Sequence, residues 1–143
     1  MRAVISFSIL LGLVWNTIVV CLMGGHVVDA FRPSSLLAGA IAGAVAGLFT
    51  VWSRKRQGGA ESFLYGVATY YLGMLTYWAG FVIIERTWMC LEHGGWTDFD
   101  LRDHLGLIWL FLFWGTVWFG VLLIPLSFLS RHFVWNIYRR FTA

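Results

Sequence analysis

The sequence predicts an all-α integral membrane protein: a four-transmembrane-helix bundle with both termini cytoplasmic. Three observations carry that reading. The chain is 59% hydrophobic and 12% charged, whereas a soluble domain carries about 25% charged residues. Four apolar stretches, residues 3–23, 36–52, 63–84 and 105–129, contain no Asp, Glu, Lys, Arg or His. As helices they measure roughly 26–38 Å, against a hydrocarbon core of about 30 Å. Finally, the basic residues are unevenly shared between the two sides. Arg2, Arg54, Lys55, Arg56, Arg131, Arg139 and Arg140, with Glu61 as the accompanying acid, fall on one side. Arg32, Arg86 and Arg102 fall on the other with Asp29, Glu85, Glu92, Asp98, Asp100 and Asp103. Positive residues in short loops mark the cytoplasmic face, so a multi-pass protein of the cell membrane, in bacteria the inner membrane, is expected. The formal net charge of +3 is then a product of topology, and no nucleic-acid partner is expected.

The first span, 3–23, is longer than the apolar core of a signal peptide, about 7–15 residues. Ile18-Val19-Val20-Cys21 puts a bulky Val where a lipoprotein cleavage box needs a small residue, so an uncleaved helix is expected. Asn16 is its one strongly polar side chain at mid-depth. In lipid, asparagine seeks a hydrogen-bond partner on another helix.

The second helix, its membrane span expected over 34–52, begins at Pro33, which suits a first helical position because its missing N–H is not needed there. Within it, "LLAGAIAGAVAGLF" holds eight Gly or Ala residues among fourteen. Gly39, Gly43 and Gly47 repeat every four residues, with Ala42 and Ala46 in the adjoining row, while Leu37, Ile41, Val45 and Leu48 share the remaining face. Small residues at this spacing, a glycine zipper of GxxxG type, let helix backbones approach closely. Since most of the circumference is small, contact with two or more helices is expected.

The loop "SRKRQGGAES" reads as basic and flexible, and it makes the second and third helices an antiparallel pair. The third span, 63–84, carries Gly66, Gly73 and Gly80 at a spacing of seven, which suits a left-handed crossing. Beyond it, "ERTWMCLEHGG" continues the helix to a stop at Gly94-Gly95. "TDFD" then restarts it, with Thr97 as cap and Asp100 three residues on. A helical hairpin standing on the outer side is expected.

The fourth span, 105–129, is rich in indole and phenyl rings, with Trp114 and Trp118 at mid-depth. Pro125 is expected to kink its inner end. Residues 130–143 form a basic amphipathic tail. Phe133, Val134, Ile137, Tyr138 and Phe141 share one face, with Arg131, Arg139 and Arg140 largely opposite. Such a helix lies along the inner lipid surface or continues the fourth span out of it, anchored on lipid or docked on a partner subunit. Arg131, Arg139, Arg140, Trp114 and Trp118 are therefore read as a lipid or partner surface.

Candidate chemistry is sparse. His93, Asp100 and His104 lie on the outer side, and Asp100 and His104 are one turn apart, as metal ligands can be. No HExxH or CxxC motif accompanies them, so caps and ion pairs are the simpler reading and no metal is expected. Two histidines on different helices at matching depth can ligate a haem b, and His26 and His104 are the candidates, although both lie outside the apolar stretches. A quinone or flat pigment on the aromatic fourth span is a further possibility, but no cofactor is expected. Cys21 falls inside a span and Cys90 above one, which argues against pairing. No nucleophile set, phosphate loop or dinucleotide fingerprint is present, and spans without charged residues disfavour a driven ion transporter.

The leading expectation is a non-catalytic accessory subunit that packs against other integral membrane subunits of a larger complex. Its surface would comprise Asn16, Gly39, Ala42, Gly43, Ala46, Gly47, Gly66, Gly73 and Gly80. Two alternatives stand beside it: a small homo-oligomeric channel or transporter built from copies of the chain, and a haem b- or quinone-binding anchor of an electron-transfer complex.

Overall fold

A computed structural model describes residues 1–22, 24–58, 60–93 and 101–142. Five helices follow one another: α1 (Arg2–Leu22), α2 (Val27–Ala30), α3 (Pro33–Arg56), α4 (Phe63–His93) and α5 (Leu101–Thr142). No strand occurs among the described residues. The four long helices are each long and apolar enough to cross a membrane.

Local chemistry explains where they start and stop. Gly24, with φ of 82°, turns the chain after α1. Asp29 accepts the His26 backbone N–H at 2.9 Å and pairs with Arg32 at 2.8 Å, closing the single turn of α2. Arg32 is then extended, and Pro33 opens α3 as expected. The last turn of α3 carries Arg54, Lys55 and Arg56, cations at the negative end of the helix dipole. Gly58, with φ of 62°, follows.

α3 sits between α1 and α4 and also touches α5. Its small residues decide how closely. A Cβ on Gly43 would lie 2.8 Å from the Gly12 Cα and would overlap the Ser8 carbonyl oxygen. One on Gly12 would lie 2.7 Å from the Gly43 Cα, and one on Gly39 would lie 2.9 Å from the Asn16 Cβ. α1 and α3 therefore meet backbone on backbone. The alanine row turns to α4: Ala38 faces Gly80, and Ala46 faces Gly73. Gly66 receives the Phe128 ring of α5. Leu37, Ile41 and Leu48 remain exposed, the single bulky stripe left on α3.

α4 runs past 84 to His93, and α5 starts before 105, at Leu101. At 42 residues, α5 is roughly 63 Å long. The Gly94-Gly95 stop, Thr97, Asp98 and Asp100 lie outside the described residues. Helix α5 continues through Pro125 to Thr142, so of the two expectations for the tail, a continuation of the fourth long helix is the one realised. Its buried positions Leu123, Ser127, Arg131 and Val134 keep one packing stripe intact across the proline. Val134 packs with Val4 and Val51, and Lys55 Nζ lies 5.0 Å from the centre of the Tyr138 ring. These contacts draw both chain termini to one end of the bundle.

Gly43→Ala is expected to destabilise the bundle by about 1–3 kcal/mol, since the added methyl must push two backbones apart. Gly106→Ala meets nothing within 4 Å and is expected to leave stability unchanged or slightly raised. Denaturant unfolding in detergent, followed by circular dichroism, measures both.

Candidate functional site: two buried polar clusters and the cavity between them

Near the end that carries α2, Asn16 is 2% exposed and fully engaged. Its Nδ2 donates to the Ala30 carbonyl at 2.7 Å. Its Oδ1 accepts from Ser35 Oγ at 2.8 Å and from the Tyr77 hydroxyl at 2.7 Å. The lone amide of α1 thus ties together α2, α3 and α4. Beside Ser35, Ser34 Oγ donates to Glu85 at 2.5 Å.

At the opposite end, Arg131 is 1% exposed. Its Nε donates to Glu61 Oε1 at 2.9 Å, and its Nη2 to Ser53 Oγ at 3.1 Å. Its Nη1 donates to the Tyr65 carbonyl at 3.2 Å and to Thr69 Oγ1. Arg54, also buried, pairs with the second oxygen of Glu61. Two guanidinium groups from α3 and α5 therefore converge on one carboxylate in the α3–α4 loop. Burying such ions costs several kcal/mol each, and pairing with full hydrogen bonding offsets that cost.

Two sequence expectations are corrected here. Arg131 is not on a lipid or partner surface, because it belongs to the stripe that packs α5 against α3 and α4. The loop between α3 and α4 is not simply basic and flexible, because Glu61 ties it to α5. Two signals in the sequence point this way: Leu123, Ser127, Arg131 and Val134 continue one helical face, and Glu61 is the single acid among the seven basic residues of its side. Arg139, Arg140, Trp114 and Trp118 do lie exposed.

The glycine row packs within the chain, as described above, and lines a cavity of about 100 Å³ between α1, α3, α4 and α5. Ser8, Gly12, Tyr70, Gly73, Met74 and Arg131 are among its walls. Trp15 Nε1 donates to Ser130 Oγ at 2.9 Å across the α1–α5 seam beside it.

The histidines stand apart from this region. His26 is exposed at the start of α2. His104 is 5% exposed, and its Nε2 accepts from Arg86 Nε at 2.7 Å. The His93 side chain and Asp100 lie outside the described residues. Among the described residues, no three His, Cys, Asp or Glu gather as metal ligands would. Cys21 and Cys90 are both free thiols. No protein-family model matches the chain, and no curated protein or solved structure does either.

Glu61→Gln strands a buried guanidinium and is expected to cost about 3 kcal/mol. Arg131→Met removes the charge while keeping much of the volume, so the double variant is expected to be more stable than Glu61→Gln alone. A double-mutant cycle on unfolding free energies reads the difference. Asn16→Leu is expected to cost about 1–3 kcal/mol, measured in the same assay, because it removes the donor to the Ala30 carbonyl and the acceptor that Ser35 and Tyr77 share.

Proposed function

We propose that this chain is a non-catalytic integral membrane subunit that binds other transmembrane helices in a larger membrane assembly, and that α5 supplies the contact surface. The single observation behind this reading is the Trp114–Trp118 pair. The two rings stack with centroids 6.1 Å apart and planes 21° from parallel. They are 42% and 68% exposed, near the middle of the apolar stretch 105–129. Trp109, Phe113, Val117 and Val121 extend the same exposed face.

Indoles favour membrane interfaces, where the N–H meets water or a headgroup. At mid-depth in lipid that N–H faces hydrocarbon, which is costly. A neighbouring helix offers it a carbonyl or hydroxyl, so a protein partner suits this face better than acyl chains do. The Gly39–Gly43–Gly47 row is occupied by α1, which is why the outward surface is assigned to α5. The same occupancy favours this reading over a channel with that row around its axis. The uneven sharing of basic residues supports cytoplasmic termini, with Arg139 and Arg140 at the lipid surface.

Native mass spectrometry after gentle solubilisation is expected to find the chain bound to another membrane polypeptide. The Trp114→Leu, Trp118→Leu double variant is expected to lose that partner at least about tenfold, as buried aromatic anchors do, with its own helicity unchanged. A wild-type chain that persists as a lone monomer would contradict the proposal.

A further inference from the structure

The glycine row of α3 lies against α1 and its alanine row against α4, which leaves the bulky stripe of α3 facing outward. That stripe is graded along the helix. Ile41 and Leu48 are exposed aliphatic residues, Trp52 is exposed after them, and Lys55 and Arg56 stand exposed one turn beyond Trp52. Residues three, four or seven apart share one face of a helix, so these five side chains form a continuous strip. From Ile41 to Trp52 is roughly 17 Å of helix, and half of the hydrocarbon core is about 15 Å deep. The strip therefore offers one leaflet's depth of apolar surface, then an indole at the boundary where indoles are favoured, then positive charge.

Charge is a second, independent observation. Glu61 is the one acidic side chain on this side of the sequence, and both of its oxygens are held by the buried Arg54 and Arg131. Among the described residues, no carboxylate pairs with Lys55 or Arg56. Each lies over a ring instead. Lys55 Nζ is 5.0 Å from the centre of the Tyr138 ring, and the Arg56 guanidinium is 4.6 Å from the centre of the Trp52 ring. A ring face attracts a cation through its quadrupole but leaves N–H donors open, and the arginine fork matches a phosphate. The rings also hold both side chains in place, which lowers the ordering cost of gripping a headgroup. We propose that the outward strip of α3 binds an anionic phospholipid of the leaflet next to the chain termini, its phosphate on Lys55 and Arg56 and its acyl chains along Leu48 and Ile41. A choline headgroup would bring a further cation to the same place, so the strip selects against it. The site rests on the reading of the chain as membrane-spanning and is independent of the α5 contact surface.

Photolabelling from the lipid side tests this. The full chain is reconstituted in phosphatidylcholine vesicles doped with phosphatidylglycerol whose acyl tail carries a diazirine, and the adducts are located by peptide mass spectrometry. Adducts are expected on the segment 41–52, in clear excess over those from phosphatidylcholine with the same tail. Lys55→Gln and Arg56→Gln are each expected to lower that excess about fivefold, the effect of one cation near an anionic surface, and the double variant to remove it. Arg139→Gln with Arg140→Gln takes the same charge from α5 and is expected to leave the adducts on 41–52 nearly unchanged. Circular dichroism and size-exclusion chromatography establish that each variant is folded, and the single variants carry the test if the double one is not. Equal labelling of 41–52 by the two lipids would overturn the proposal. So would an equal loss in the α3 and α5 variants, which marks diffuse charge and no site. A chain that takes no adduct from either lipid would overturn the membrane-spanning reading, and this proposal with it.

Discussion

The close crossing of α1 and α3 is the constraint on which the rest of the structure depends. Gly12 and Gly43 bring the two backbones within van der Waals contact. Between lipid-embedded helices the hydrophobic effect offers little drive, so dispersion and weak Cα–H···O contacts over a long smooth face must supply it. The crossing also sets the depth of Asn16. With α1 held at this distance, its amide reaches Ser35 and Tyr77 directly, whereas a bulkier seam would leave an unpaired polar group in the apolar interior.

The remaining helices are arranged around that pair. α4 takes the alanine side of α3 through Gly73 and Gly80, and Gly66 gives way to the Phe128 ring of α5. The two glycine spacings thus serve two neighbours: the four-residue row serves α1, and the seven-residue row serves α3 and α5. At the end that carries both termini, Glu61 joins Arg54 to Arg131. This draws the α3–α4 loop and the last turns of α5 into the bundle. The buried ions specify where α5 lies more than they stabilise it, since apolar residues of the same size would pack there too. Between the amide cluster and the ionic one, the small side chains leave the cavity.

Much of the helical layout was legible because length, hydropathy and chain breakers act locally. Pro33 begins α3, and the apolar stretches coincide with helices long enough to span a membrane. The role of Asn16 as a tie between helices was legible too, since one amide in an apolar stretch has few ways to be satisfied. The site was legible only in fragments. Ser8 and Gly12 stand four residues apart, but a single small-xxx-small pair in an otherwise bulky helix is a weak signal beside the repeated rows of α3. The burial of Arg131 is hidden in the sequence because its neighbours His132, Arg139 and Arg140 make the tail look uniformly surface-seeking.

Composition and the order of residues alone determined four apolar helices, their approximate limits and the presence of one almost smooth helix among them. The tertiary structure decided what that smooth helix touches, which side of α5 is buried, and that Glu61 and Arg131, seventy residues apart, share one ion pair. The reason is physical: helix formation satisfies the backbone within a segment, so it can be read segment by segment. Which faces meet depends on the shapes of several helices at once, and no single stretch contains that information.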